Sequence, residues 1–189
     1  MRRANYPHPR IRGKVCTGAN QAFCLHVECP ALWAKHSHNH INPKENPLMK
    51  RTASAVWTGD LKKGKGLLST QSSVLKDTQY SFSTRFENGI GTNPEELIAA
   101  AHAGCFTMAL SAELGGAGFT AEKLSTQASL TLEQVEGNWT ITTIVLDLEA
   151  KVPGIAKDKF DQIAAGAKAN CPVSRVLKAQ ITLNAKLLE

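Results

Sequence analysis

The 189-residue sequence is poor in aromatic residues and cysteine, and it lacks a long uninterrupted apolar run. Aromatic residues make up 6% of the chain, and there are five cysteines. Five cysteines in a chain of this length are too few for a disulfide-dense scaffold. The most apolar segment, residues 97–110, is interrupted by His102 and Cys105, and a membrane span needs roughly 18 apolar residues. The sequence therefore predicts a soluble protein with no membrane partner.

Acidic residues are scarce in only one part of the chain. The formal net charge is +6, and residues 1–48 account for +5 of it, with seven Lys and Arg against two Glu. Residues 49–189 have a net charge of +1. A basic surface that binds nucleic acid would need positive charge across the folded part. The charge distribution therefore favours no nucleic-acid partner.

Residues 1–48 have no helical or strand periodicity, although they contain five of the six His and three of the five Cys. They lack the apolar core of a secretory signal and the amphipathic helix of a transit peptide. Cys24, Cys29 and the alternating His36, His38 and His40 are residue types that bind zinc, but their spacing differs from that of zinc fingers. We expect a disordered leader, or sequence upstream of a functional start at Met49, and a cytoplasmic protein without a metal or cofactor.

The remaining part, residues 49–189, predicts strands, a helix, strands, a helix and a strand, which is typical of an α+β fold with antiparallel sheets. Strand patterns cover residues 52–57, 67–71, 80–86, 125–134, 139–151 and 179–187. A long helix follows Asn93 and Pro94, which suit a helix start, and ends at Gly115 and Gly116. A second helix ends near Asn170, and Cys171 opens a short helical turn.

The long helix has apolar residues spaced by three and four positions. Leu97, Ala101, Cys105, Met108 and Ala112 form this stripe. We therefore expect Cys105 to be mostly buried. Cys171, the other cysteine of this part, precedes Pro172 at a cap position, where free backbone N–H groups favour a thiolate.

Several separated segments carry a resemblance to a known family. They are the motifs at residues 55–60 (Ala-x-Trp-x-Gly-Asp), 84–87 (Thr-Arg-Phe-Glu), 91–97 (Gly-Thr-Asn-Pro-Glu-Glu-Leu), 100–108 (Ala-Ala-His-Ala-x-Cys-Phe-x-Met), 152–155 (Val-Pro-Gly-Ile) and 171–174 (Cys-Pro-Val-Ser). Their order and spacing resemble the OsmC branch of the OsmC/Ohr family. The likeness spans residues 50–189, and the leader has no place in it.

The resemblance implies a cysteine peroxidase that reduces organic hydroperoxides, and hydrogen peroxide less well, in oxidative and osmotic stress defence. It also implies an intertwined homodimer, with sheets wrapped around two long central helices and active sites at the subunit interface. The reductant that it implies is a dithiol, such as a lipoyl-type protein. No resident cofactor is expected.

The resemblance also implies the site residues. Cys105 corresponds to the peroxidatic thiol and Cys171 to the resolving thiol, with Arg85 and Glu95 completing the site. A guanidinium near Cys105 would offset the cost of burying a thiolate. Glu95 precedes Cys105 by 10 residues, about 15 Å along a straight helix, so we expect it to hold Arg85 rather than to touch the sulfur.

Other interpretations stay open from the sequence. Glu96, His102 and Lys63 are further candidates for the site, and His102 also fits a role in helix packing. Leu97, Ile98, Phe106 and Met108 suit either a pocket for the hydroperoxide tail or the core. Two alternative functions are a non-catalytic stress-induced dimeric binding protein and a general thiol–disulfide oxidoreductase, although the latter commonly has a C-x-x-C motif, which this chain lacks.

Overall fold

The computed structural model describes residues 48–189, so our predictions about the leader and its zinc ligands lie outside the described residues. The elements in chain order are β1 (Ala53–Thr58), β2 (Lys65–Thr70), β3 (Thr78–Tyr80), α1 (Phe82–Phe86), α2 (Pro94–Gly116), β4 (Lys123–Val135), β5 (Asn138–Lys151), α3 (Lys157–Asn170), α4 (Pro172–Val176) and β6 (Gln180–Leu188). The predicted α+β fold is confirmed.

The strands form two three-stranded sheets, in the orders β1-β2-β3 and β4-β5-β6. The pairs β1–β2, β2–β3 and β4–β5 are antiparallel, whereas β6 runs parallel to β5. The parallel pair arises because α3 and α4 lie between the two strands and return the chain to the edge of β5, as a crossover must.

One predicted strand is wrong. The segment predicted as a strand over residues 80–86 leaves the sheet at Tyr80 and forms α1 instead. Ser81 caps this helix, since its hydroxyl accepts from the Thr84 backbone N–H at 3.2 Å and its own N–H donates to Thr84 Oγ1 at 2.9 Å. This capping box satisfies donors at the helix start, and it outweighs the strand preference of the aromatic residues.

Helix α2 packs against β4, α3 and α4 and buries one stripe of side chains. The buried residues are His102, Phe106, Leu110 and Leu114, each 0% exposed. The predicted stripe is wrong by about one residue, because Met108 is 76% exposed and Cys105 is only partly buried. Since α2 is apolar on most of its circumference, periodicity could not identify the buried side; the larger Phe106, Leu110 and Leu114 fill the core.

Helix α2 is also long and apolar enough to cross a membrane by length and composition, the single such helix among residues 48–189. His102 and Cys105 interrupt the apolar run of this helix, but its mean hydropathy remains high. The core helix of a soluble protein has the same properties, and the Phe106, Leu110 and Leu114 side chains of α2 lie in the core.

Candidate active site

The two cysteines of the described residues meet where α2 packs against α4. Cys105 lies in the middle of α2, and Cys171 lies between α3 and α4. The Cys171 N–H ends α3 by donating to the Ala167 carbonyl at 2.9 Å, and Pro172, which has no N–H, starts α4. The two Sγ atoms are 3.2 Å apart, and both thiols are free. A disulfide requires about 2.05 Å, so a small movement would join them.

The two thiols differ in access and in acidity. Cys105 is partly exposed, whereas Cys171 is completely buried. Burial raises the pKa of Cys105, and the neighbouring Cys171 adds to this, although the Val173 N–H opposes it. Burial also disfavours the Cys171 thiolate, but hydrogen bonds from the Ser174 N–H, the Cys105 thiol and the Ser174 hydroxyl outweigh it and leave the pKa of Cys171 lowered. Within one chain, the more accessible sulfur therefore has a raised pKa and no cation among the groups that shift it.

Arg85 and Glu95 form a two-point ion pair that joins α1 to the first turn of α2. Arg85 Nε donates to both Glu95 carboxylate oxygens, at 2.9 and 3.1 Å, and Nη2 donates to Oε1 at 2.5 Å. The Arg85 side chain is 35% exposed and that of Glu95 is 14% exposed. The guanidinium also lies 5.1 Å from the centre of the Phe86 ring. Two parallel hydrogen bonds fix the plane of the guanidinium, as Arg–carboxylate forks do.

The structure brings the predicted site residues together as two pairs rather than as one cluster. Glu95 and Cys105 are separated by 10 residues of α2, which corresponds to about 15 Å of helix rise. No basic side chain among residues 48–189 donates a hydrogen bond to either sulfur. Arg85 and Glu95 are thus paired as expected, but their own chain does not place them at Cys105.

A cavity of about 310 Å³ adjoins the Arg85 side chain. Its walls are mostly aromatic or apolar, and include Trp57, Leu61, Tyr80 and Phe82. The sequence missed these residues as pocket candidates, although Trp57 belongs to the Ala-x-Trp-x-Gly-Asp motif.

The four residues proposed from sequence for a hydroperoxide pocket are located elsewhere. Phe106 lies in the core, and the side chain of Met108 points outward. None of the four, Leu97 and Ile98 included, lines the cavity beside Arg85.

Of the three residues left open by the sequence, His102 alone lies beside the thiols. It is fully buried, and its Nε2 is 2.8 Å from Ser174 Oγ, on the helix that follows Cys171. Glu96 is exposed, and its backbone N–H donates to the Asn93 cap. Lys63 is exposed in the hairpin between β1 and β2, where its backbone N–H donates to Asp60.

Two free thiols within reach of a disulfide, one partly exposed and one buried, have the geometry typical of the class of two-cysteine thiol redox proteins. The comparisons with known proteins identify the family. Residues 87–186 match the family model described as OsmC-like protein, and the chain belongs to this family.

A curated relative matches this chain over nearly its whole length. The chain is 54% identical to Peroxiredoxin OsmC of Escherichia coli over 137 residues, which are 72% of this chain and 96% of that protein. This confirms the OsmC branch and the predicted class of enzyme, a peroxiredoxin-like cysteine peroxidase.

More distant proteins agree. The Organic hydroperoxide resistance protein of Xanthomonas axonopodis pv. citri is 31% identical over 106 residues, 52% of this chain and 68% of that protein. The solved structure of an OsmC-like protein of unknown function from Vibrio cholerae has a TM-score of 0.60 at 13% identity, covering 74% of this chain and 100% of that one. At that identity, the second match supports the fold alone.

Proposed function

We propose that the protein reduces organic hydroperoxides, and hydrogen peroxide less well, with Cys105 as the peroxidatic thiol and Cys171 as the resolving thiol. The observation that carries this proposal is the 3.2 Å contact between a partly exposed sulfur and a fully buried one. A hydroperoxide can approach the partly exposed Cys105, whereas Cys171 has no exposed surface. The names of the curated relatives, a peroxiredoxin and an organic hydroperoxide resistance protein, agree with this activity.

The chemistry has three steps. The Cys105 thiolate attacks one peroxide oxygen, the O–O bond breaks, and the alkoxide leaves and takes a proton to become an alcohol. The Cys171 thiolate then attacks the Cys105 sulfenic acid, the S–O bond breaks, and hydroxide leaves as water after protonation. A dithiol reductant, such as a lipoyl-type protein, reduces the disulfide and is itself oxidised to a disulfide.

Arg85 has the chemistry that Cys105 lacks within its own chain. Burial raises the pKa of Cys105, and a nearby guanidinium would lower it and stabilise charge on the leaving oxygen. We propose that Arg85, oriented by Glu95, serves the Cys105 of a second copy of the chain. Active sites then form at the interface of a homodimer.

The exposed apolar surface of the chain supports this assembly. Met108 on α2 is 76% exposed, and Val56 on β1 is 62% exposed. Every residue of β1 is exposed, and a β-carbon added at Gly104 on α2 would meet nothing within 4 Å. Exposed apolar surface next to small residues suits close packing of a second helix.

The cavity beside Arg85 supports a preference for bulky hydroperoxides. Its aromatic walls would bury an alkyl or aryl tail, while the guanidinium faces the polar peroxide group. Burial of apolar surface stabilises a complex by roughly 25 cal/mol per Å², and hydrogen peroxide has no tail to bury. We place this activity in the cytoplasm, where reductants keep such thiols reduced.

Serine variants of the two cysteines test the proposal. After one equivalent of an alkyl hydroperoxide, the wild type should lose two thiols and show a peptide that links Cys105 to Cys171. Cys171→Ser should accumulate a sulfenic acid on Cys105 that a dimedone probe captures, and Cys105→Ser should consume no peroxide. Turnover by a folded Cys105→Ser variant would contradict the proposal.

The same experiment separates the alternative functions. A non-catalytic binding protein would keep both thiols after exposure to peroxide. A general thiol–disulfide oxidoreductase would exchange with a small disulfide faster than it reacts with a hydroperoxide. Rates measured with both oxidants on one preparation distinguish these cases.

A further inference from the structure

His102 is a buried polar side chain next to the thiols that the proposed reaction does not use. It lies three residues before Cys105 on α2 and is 0% exposed. Its Nε2 is 2.8 Å from Ser174 Oγ, and its Nδ1 has no hydrogen-bond partner among the described residues. A buried polar atom without a partner costs free energy, so the unpaired Nδ1 lowers the stability of the folded protein.

The orphaned Nδ1 indicates which ring nitrogen carries the proton. Burial lowers the pKa of His102, so the imidazole is neutral near pH 7. An orphaned N–H is rarer in folded proteins than an orphaned acceptor, which favours a bare Nδ1 and a proton on Nε2. Nε2–H then donates to Ser174 Oγ, and the Ser174 hydroxyl proton remains free for another acceptor.

Cys171, the residue before α4, is the candidate acceptor for that proton. Ser174 lies three residues after Cys171, and both its backbone N–H and its hydroxyl lower the pKa of the Cys171 thiol. His102 Nε2 lies 2.8 Å from Ser174 Oγ, and the Ser174 hydroxyl, when turned toward Cys171 Sγ, would complete a chain of donors from His102 to the buried sulfur. Consecutive hydrogen bonds polarise one another, so the second bond is strengthened by the first.

We propose that His102 is a positioning residue for the resolving thiol: it orients the Ser174 hydroxyl toward the Cys171 thiolate and thereby accelerates disulfide formation. This inference rests on the proposed function, which supplies the Cys105 sulfenic acid. In the step concerned, the Cys171 thiolate forms the S–S bond, the S–O bond of Cys105 breaks, and hydroxide leaves and is protonated to water. His102 and Ser174 lose no proton overall.

The rate effect follows from the amount of thiolate. A thiol whose pKa lies above the ambient pH attacks faster when that pKa is lowered toward the pH. The fraction of thiolate then rises more than the nucleophilicity of the thiolate falls. Removal of the donor chain would leave Cys171 with a larger uncompensated cost of burial. The first chemical step at Cys105 would not be slowed, since neither His102 nor Ser174 donates to Cys105 and a Cys171 with less thiolate raises the pKa of Cys105 less.

Stopped-flow oxidation of the full chain with one equivalent of cumene hydroperoxide tests the proposal. Trapping with dimedone measures sulfenic acid formation, and the loss of a second thiol measures disulfide formation. We expect His102→Leu and Ser174→Ala to slow disulfide formation by about tenfold, while sulfenic acid forms at least as fast as in the wild type. The pKa of Cys171, followed by thiolate absorbance in the Cys105→Ser background, should rise in both variants.

Two amide variants distinguish a donor from a space-filling group. The amide nitrogen of glutamine can occupy the place of Nε2, whereas that of asparagine reaches only as far as Nδ1. His102→Gln should therefore keep the wild-type rate of disulfide formation, and His102→Asn should lose it. If the two variants slow the step equally, His102 acts by packing alone and the proposal is wrong.

Thr107→Val is the matched control. It removes a half-buried hydroxyl from the same helix, one that bonds to Ala103 O and Thr126 Oγ1 rather than to the site, so it should leave both rates unchanged. If the wild type forms no disulfide, the proposed function and this inference fail together. If the wild type forms one and folded Ser174→Ala matches its rate, only this inference is overturned.

Discussion

At the scale of single residues, the surroundings of each sulfur determine its part in the reaction. Cys105 and Cys171 are the same chemical group, yet burial raises the pKa of one while Ser174 and its neighbours lower the pKa of the other. The accessible thiol still needs a cation, and the buried thiol already has donors. His102 belongs to the same set, because its single hydrogen bond reaches Ser174.

The titration of His102 gives a prediction for the pH dependence of stability. Its pKa is lowered in the folded state, so the unfolded chain binds more protons below about pH 6.5. The contribution of the neutral imidazole to stability is therefore present above that pH and is lost as the pH falls toward the folded-state pKa. Between about pH 7 and pH 5, we expect the free energy of unfolding to fall less for His102→Gln than for the wild type. The difference is at most about 1.4 kcal/mol for each unit by which the His102 pKa differs between the folded and unfolded states.

Urea unfolding of the two proteins at several pH values, at one protein concentration, measures this difference. Carboxylates and thiols are the same in both proteins, so the difference between their pH dependences reports the titration of residue 102 alone. Parallel pH curves would show that His102 is protonated alike in the folded and unfolded states.

At the scale of secondary structure, α2 combines three tasks. Its first turn carries Glu95, its middle carries Cys105, and its buried stripe forms much of the core. Asn93 caps the start by accepting from the Glu96 N–H at 2.8 Å, and it also donates to the Thr84 carbonyl at 3.0 Å, which ties α1 to α2. The position of both site pairs therefore depends on the packing of one helix.

Leu110→Ala tests this dependence. Leu110 is 0% exposed in the core between α2 and its neighbours, so its truncation removes buried surface and leaves a cavity. We expect a loss of about 2–5 kcal/mol in the free energy of unfolding, measured by urea denaturation. Leu48→Ala is the matched control, since that side chain is 97% exposed; an equal loss in both variants would contradict the core position of Leu110.

At the scale of the whole molecule, a single chain leaves the proposed site incomplete. Arg85 pairs with Glu95 at one end of α2, while Cys105 lies in the middle of that helix. The outward side of α2 and the exposed β1 strand remain available for a second copy. A two-fold interface would use the same surface on both chains and could complete two sites at once.

Subunit complementation tests this arrangement. Arg85→Ala and Cys105→Ser chains, each with a different tag, are expressed together, and the mixed dimers are isolated through both tags. If Arg85 acts on the Cys105 of its partner, one of the two sites in a mixed dimer has both residues intact. We expect about half of the wild-type peroxidase activity from purified mixed dimers, and almost none from either variant alone.

The contrary result is equally clear. If Arg85 acts within its own chain, both sites of a mixed dimer carry one defect, and mixing restores nothing. The fraction of mixed dimers, measured by native mass spectrometry, shows that the subunits have assembled. Monomers at all concentrations would also overturn the proposal.

The sequence predicted most of the elements and both cysteines but not how the elements face one another. Asn93, Pro94 and the paired glycines predicted α2 closely, because capping is a local property. The buried side of α2 was predicted wrongly, since a helix with apolar residues on most sides has no single stripe that periodicity can identify. The helix after Ser81 was missed because a capping box competed with the strand pattern of its aromatic neighbours.

The sequence by itself determined the fold class, the helix that carries Cys105 and, through separated motifs, the family. Those features depend on local propensity and on residue order, and both can be read from the amino-acid sequence. Only the tertiary structure decided that Cys105 and Cys171, 66 residues apart, lie 3.2 Å from each other, that β6 runs parallel to β5, and that His102 reaches Ser174. These contacts join distant parts of the chain, and side-chain packing between helices selects them.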